Sequence, residues 1–140
     1  MTVQEQILQA VVLALQGVAG VALVERSRKV GIDRDAAPAI IVRPDAEQDE
    51  RFGAGTDKHM LDVLVIVHTR GDPWDAAAAP IVAAAHVAVM TNAGIAALAK
   101  DVRRISCDPE DVEADATAGQ YLLRYRFTYL TRAADLSAQP

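Results

Sequence analysis

The sequence predicts a single α+β domain: a mostly antiparallel sheet of four to five strands with two main helices packed on one face, in the order α-β-β-β-α-β-β. Three observations predict it. Over Gly119 to Arg132, Tyr121, Leu123, Tyr125, Phe127 and Tyr129 alternate with Arg124, Arg126, Thr128 and Arg132. That is the two-residue period of a strand with its aromatics turned inward and its guanidinium groups outward. Over Lys58 to Arg70, Leu61, Val63, Val65 and Val67 share one face while Leu64 and Ile66 make the other partly apolar. Such a strand is covered on both sides, by helices on one and by a loop or a second subunit on the other. Two further segments carry apolar residues at helical spacing.

The first helix is read over residues 3 to 16. Thr2 followed by Glu5 has capping-box spacing, and Val3, Ile7, Leu8, Val11, Val12 and Leu15 form one stripe that ends before Gly17. Val21 to Ser27 is a short strand running into a charged loop that extends to Pro38. Ile40, Ile41 and Val42 lie between Pro38 and Pro44, which reads as a buried strand over 39 to 43 closed by proline. The polar stretch from Asp45 to Asp57, with Gly53 and Gly55, is a mobile loop or the tip of a long hairpin arm. Its charge density cannot bury enough apolar area to offset the ordering of its backbone.

Asp72 reads as the N-cap of the second helix, with Pro73 in its first turn and Ala78, Ile81, Val82, Ala85 and Val89 as its inward stripe. Pro80 interrupts it. The helix either bends near Ala76 or begins properly at Pro80 after a short turn. Ile95 to Ala99 makes one or two further turns. Val102 to Cys107, resuming at Val112 to Asp115 after Pro109, pairs as a hairpin with the terminal strand through a turn near Ala118 and Gly119. Residues 1–132 form the domain and 133–140 a flexible tail.

Composition limits the function classes. The 140 residues are 51% apolar but only 4% aromatic, and the net charge is −5, which opposes non-specific attraction to DNA or anionic lipid. One cysteine, Cys107, excludes an internal disulfide and any multi-cysteine zinc site and fits a reducing compartment. No signal peptide or membrane span is legible, so a soluble chain is expected.

Gly53-Ala54-Gly55 with Lys58 lacks the spacing and the Ser or Thr of a phosphate loop, and Asp108 to Asp115 lacks the turn glycine of a calcium loop. His59 and His68 fall on opposite strand faces, His86 sits at the edge of a helix stripe, and no serine lies in a nucleophile motif. No catalytic residue, cofactor site or metal site is therefore assigned. Arg124 and Arg126 share an exposed face that Arg103 or Arg104 joins. The plain alternative is a face salt-bridged to the acidic 108 to 115 edge. With Arg51 and Phe52 of the polar arm, these residues are the candidate interface for another subunit or a tail tube. Base stacking on nucleic acid would need the aromatics on the arginine face, and they lie on the other.

The ordered features resemble a known family. Ile-Leu-x-Ala-Val with a Gly-x-x-Gly break, Pro-Ala-Ile-Ile-Val-Arg-Pro, an acidic glycine-bearing arm, Thr-Arg-Gly-Asp-Pro-Trp-Asp, Ala-His-Val-Ala-Val-Met and Tyr-x-x-x-Tyr-x-Phe-x-Tyr-x-Thr follow one another along nearly the whole chain. Together they look like the tail-terminator, or minor tail protein U-like, family of long-tailed bacteriophages and prophages. The resemblance implies a structural subunit, not an enzyme, that assembles as a hexameric ring on the tail tube. The ring would stop polymerisation and present a surface to the head-tail connector protein. It further implies a place at the head-tail junction of the virion, assembly in a bacterial cytoplasm, and DNA passing through without sequence-specific contact. The alternatives are a neck or head-completion protein, and a small-molecule-binding or enzymatic α+β domain.

Overall fold

The computed structural model describes residues 1–28, 31–32, 36–112 and 117–140. In chain order they form α1 (Val3–Leu15), β1 (Leu23–Arg26), β2 (Ala39–Gly53), β3 (Thr56–Arg70), α2 (Trp74–Met90), α3 (Ala93–Leu98), β4 (Asp101–Asp111) and β5 (Ala118–Arg132). The fold is α+β, with one five-stranded sheet in the order β1-β2-β3-β5-β4. All pairings are antiparallel except β1 with β2, which is parallel.

The two strands richest in β-branched and aromatic residues, β3 and β5, occupy the centre and pair along their whole length, from Thr56 with Arg132 to Arg70 with Ala118. Their helix-facing side chains are the core: Leu61, Val63, Val65, Val67, Leu123, Tyr125 and Phe127 are all at most 1% exposed. Helix α1 contributes Val3, Ile7, Leu8, Val11 and Leu15, α2 contributes Ala78, Ile81, Ala85 and Val89, and α3 contributes Ile95. These helices pack on the same side of the sheet. Thr2 caps α1, its Oγ1 accepting from the Glu5 amide at 3.1 Å. The carboxylate of Glu5 also meets Arg26 on β1, whose guanidinium holds it below the usual carboxylate range.

Several boundaries differ from expectation. Strand β2 does not close at Pro44. It runs on to Gly53 with a register shift between Pro44 and Ala46, so the polar stretch is the outer strand of a hairpin rather than a loop. Strand β4 likewise runs through Pro109. Among the described residues both strands have an unpaired outer edge at that point, where a missing N–H breaks no ladder bond. The continuation expected at 112 to 115 is not a strand at Val112, and 113–116 lie outside the described residues. Asp72 is not the cap of α2. Pro73 occupies the N-cap position without a side-chain hydrogen bond, one residue later than expected, and the helix continues through Pro80 as one element. Residues 133–140 carry backbone hydrogen bonds to the domain, including Val3 N to Leu136 O at 3.0 Å and Ala133 N to Gly55 O at 2.8 Å.

Candidate functional site

The sheet face turned away from the helices holds the arginines. Arg124 and Arg126 alternate with the buried Tyr125 and Phe127, and Arg103 stands directly opposite Arg126 on β4. Facing partners in an antiparallel pair share a side of the sheet, so Arg103 joins this face. Arg104 stands opposite Tyr125 and is on the helix side. There it lines a groove of about 410 Å³ with Ala79, Val82, His86, Cys107 and Tyr121. Of the two residues the sequence left open, Arg103 belongs to the basic face.

That face is already ion-paired. Arg126 makes a bidentate contact with Asp62 of β3, at 2.8 and 3.1 Å, and the hydrogen bond to Asp62 raises its pKa. Arg124 donates to Asp45 at 3.0 Å and to Ser106 at 3.3 Å, and Arg103 pairs with Asp101 at 2.8 Å. Among the described residues the partners are therefore Asp45, Asp62 and Asp101 rather than Asp108, Glu110 or Asp111. Lys58, Met60, Asp101, Arg103, Arg126 and Thr128 surround a shallow depression of about 420 Å³ on this face.

Arg51 and Phe52 are brought together with each other but not with the basic face. Arg51 pairs with Asp57 across the hairpin at 3.0 Å, and Phe52 beside it is 61% exposed. Sheet edges complete the picture. Strand β1 covers β2 only from Ala39 to Val42, which leaves the 43–53 edge without a neighbour among the described residues. At the other end of the sheet β4 is the last strand, so among the described residues its outer edge is open along Asp101–Asp111. The open part of β2 carries Asp45, Glu47, Asp49 and Glu50, while the middle of β4 carries Arg103 and Arg104.

Two polar clusters were not legible as groups. Near the hairpin tip, His59 is buried and stacked on Tyr129, with ring centroids 4.7 Å apart. Its Nδ1 meets Asp49 Oδ1 at 2.6 Å and its Nε2 meets Thr131 Oγ1 at 2.7 Å. The Tyr129 hydroxyl donates to Glu47, and burial followed by that contact pushes its pKa far up. Asp49 and His59 lie symmetrically about Ala54, so a hairpin centred there would have faced them across the strands. At the opposite end of β3, His68 and Gln120 line a cavity of about 510 Å³ with Arg28, Ile41, Arg43 and Ile66. His86 donates to or accepts from the Tyr125 hydroxyl at 2.8 Å, and burial pushes the Tyr125 pKa up to about 12.

No protein-family model and no curated protein matches the chain. Among solved structures, a chain of the structure titled "Virion of native gene transfer agent (GTA) particle" is similar with a TM-score of 0.46 and 19% identity, covering 92% of each chain. At that score the likeness carries no inference about function.

Proposed function

We propose that this chain is a structural subunit of a phage-type virion, a tail terminator that assembles as a ring on the tail tube. It would end tube polymerisation and offer a joining surface to the head-tail connector protein, with DNA only in transit. The observation that carries this reading is the pair of sheet edges left open among the described residues at opposite ends of one sheet, acidic on β2 over Asp45 to Glu50 and with Arg103 and Arg104 midway along β4, between Asp101 and the acidic Asp108–Asp111 end. Two different, complementary edges favour a heterologous, head-to-tail contact, which closes into a ring when the rotation allows. Backbone pairing along such edges gives affinity while the charges fix register and partner. The exposed Phe52 at the hairpin tip adds an apolar anchor. The order of sequence features along the chain supports the tail-terminator family within that class.

The ring reading is tested by complementary charge reversal. Arg103→Glu with Arg104→Glu leaves a subunit with no basic residue on β4, and Gln48→Lys with Glu50→Lys one whose 45–51 edge has lost its net negative charge and carries Lys where the wild type has Gln48 and Glu50. Each should remain monomeric when alone by native mass spectrometry, even at concentrations where the wild type forms rings. Mixed at equal concentration they should form even-membered rings. Addition of wild-type protein to growing tail tubes, followed by negative-stain imaging, tests the capping step. Rings from either variant alone, or tubes that lengthen unaffected, would overturn the reading.

A further inference from the structure

Beside the open β2 edge, three potential metal ligands converge. Glu47 and Asp49 are two residues apart on one face of β2, and His59 faces Asp49 across the ladder from β3. One carboxylate oxygen from each acid and one imidazole nitrogen all lie within 4.8 Å of one another. Bonds of roughly 2.0–2.2 Å to a first-row ion bring donors within about 4.3 Å of each other. The set has to tighten by roughly half an ångström, and Asp49, whose side chain is 56% exposed, has open space in which to move. We propose that Glu47, Asp49 and His59 form a binding site for a divalent transition-metal ion of the zinc class. This proposal is independent of ring formation.

Two neighbouring groups give this cluster the form of a built site rather than a chance meeting of surface acids. The first is Thr131, fully buried on β5, at 2.7 Å from His59 Nε2. A hydroxyl oxygen can accept a proton from Nε2, which leaves the Nδ1 lone pair aimed at the carboxylates. Metal-bound histidines characteristically have their second nitrogen held in this way. The second is Tyr129, whose ring stacks on the imidazole and whose hydroxyl donates to Glu47 Oε1. It therefore fixes both the ring plane and one carboxylate while leaving Glu47 Oε2 free. A ligand set of one imidazole and two carboxylates suits zinc, cobalt or manganese, while magnesium and calcium favour oxygen donors throughout. Without an ion the same atoms form a closed chain, Asp49 accepting from Nδ1–H and Nε2 accepting from Thr131. The ion takes the place of the Nδ1 proton, and the imidazole changes tautomer. Three protein donors leave one tetrahedral position, on the exposed Asp49 side, for water.

Titration of the purified chain with Zn²⁺ by calorimetry, and with Co²⁺ by visible absorption, tests the site. One equivalent should bind, with cobalt giving the intense bands of a tetrahedral ion. The histidine ring resonances of His59 should shift, and those of His68 and His86 should not. Glu47→Gln and Asp49→Asn change exposed or half-exposed side chains and should retain the wild-type circular dichroism while weakening Zn²⁺ at least about tenfold. Thr131→Ser, which keeps the hydroxyl, should bind as the wild type does, and Thr131→Val should bind more weakly. Absence of binding to the wild type, or equal affinity in both carboxylate variants, would overturn the proposal, as would a shift confined to His68 or His86.

Discussion

A Cβ on Gly119 would lie 2.0 Å from Cε2 of Trp74. The indole crosses directly over the backbone at the start of β5, packs on Tyr121 with ring centroids 5.2 Å apart, and donates from Nε1 to Asp111 at 3.2 Å. Trp74 thus ties the first turn of α2 to the β4–β5 hairpin, and only glycine permits the approach. Gly119→Ala should destabilise the domain by about 1–3 kcal/mol, the usual cost of forcing extra volume into a packed site. Denaturant unfolding with tryptophan fluorescence measures it. A midpoint unchanged from the wild type would contradict the packing described.

The domain should lose stability as the solution is acidified below neutrality, and His68 should be one cause. The side chain is 3% exposed, and burial pushes its pKa below the usual imidazole range. Arg70 adds to this, while Gln120 opposite offsets part of it without reaching hydrogen-bond geometry. Arg28, Arg43, Glu110 and Asp111 line the same cavity. Because the folded-state pKa is depressed, the unfolded chain binds the proton first. The contribution is therefore complete above the unfolded value of about 6.5 and declines as pH falls from there towards the folded value. Urea unfolding between pH 5 and pH 8 should show a shallower acid slope in His68→Gln than in the wild type. Equal slopes would remove His68 as the cause.

Arg126 and Asp62 should behave as a coupled pair. Arg126→Asp is expected to cost about 0.5–1 kcal/mol, since it replaces a partly exposed attraction with a repulsion. The exchange Asp62→Arg with Arg126→Asp should recover most of that loss. Denaturation of the two singles and the double closes the cycle. Additive losses would mean that the bidentate contact contributes nothing.

The open β2 edge should be recognisable by hydrogen exchange. Along 45–53 every second amide points away from β3, as the antiparallel ladder requires. In the free subunit those amides should exchange at nearly unstructured rates while their neighbours are protected. If the proposed ring forms through this edge, the outward set should slow on assembly. Uniform protection along 45–53 in a proven monomer would contradict an open edge and would also refute a mobile arm.

Where the sequence carried a strong period, the fold was legible. The alternation in β5 and the apolar face of β3 identified the two central strands, and the stripe from Val3 to Leu15 identified α1. What escaped was edge physics. Pro44 and Pro109 read as strand breakers because a sequence does not reveal which strands lie outermost. Which of Arg103 and Arg104 joins the basic face stayed open for a related reason. A register shift at Ile105 changes which residues of β4 face which side, and only the pairing exposes it. Arg124 and Arg126 lie together on the face turned away from the helices, as their two-residue spacing requires; that placement was legible. The ion pairs of that face were not: Asp45 and Asp62 come from other strands, while Asp101 stands two residues before Arg103 on β4 itself.

The last strand in the chain is the fourth in the sheet, seated between β3 and β4. While the polypeptide is being synthesised, β3 can pair only with β2, and its other edge waits for residues 118–132. Until those residues leave the ribosome, the helices have half a platform, and Val63, Val65 and Val67 line an unfinished edge. Closing a pairing as distant as Thr56 with Arg132 is also slow, because the loop entropy is spent before the contacts form. The native sheet is therefore completed only once residues 118–132 are free to pair, and any chain stopped short of β5 is a species with an exposed apolar edge, prone to aggregation.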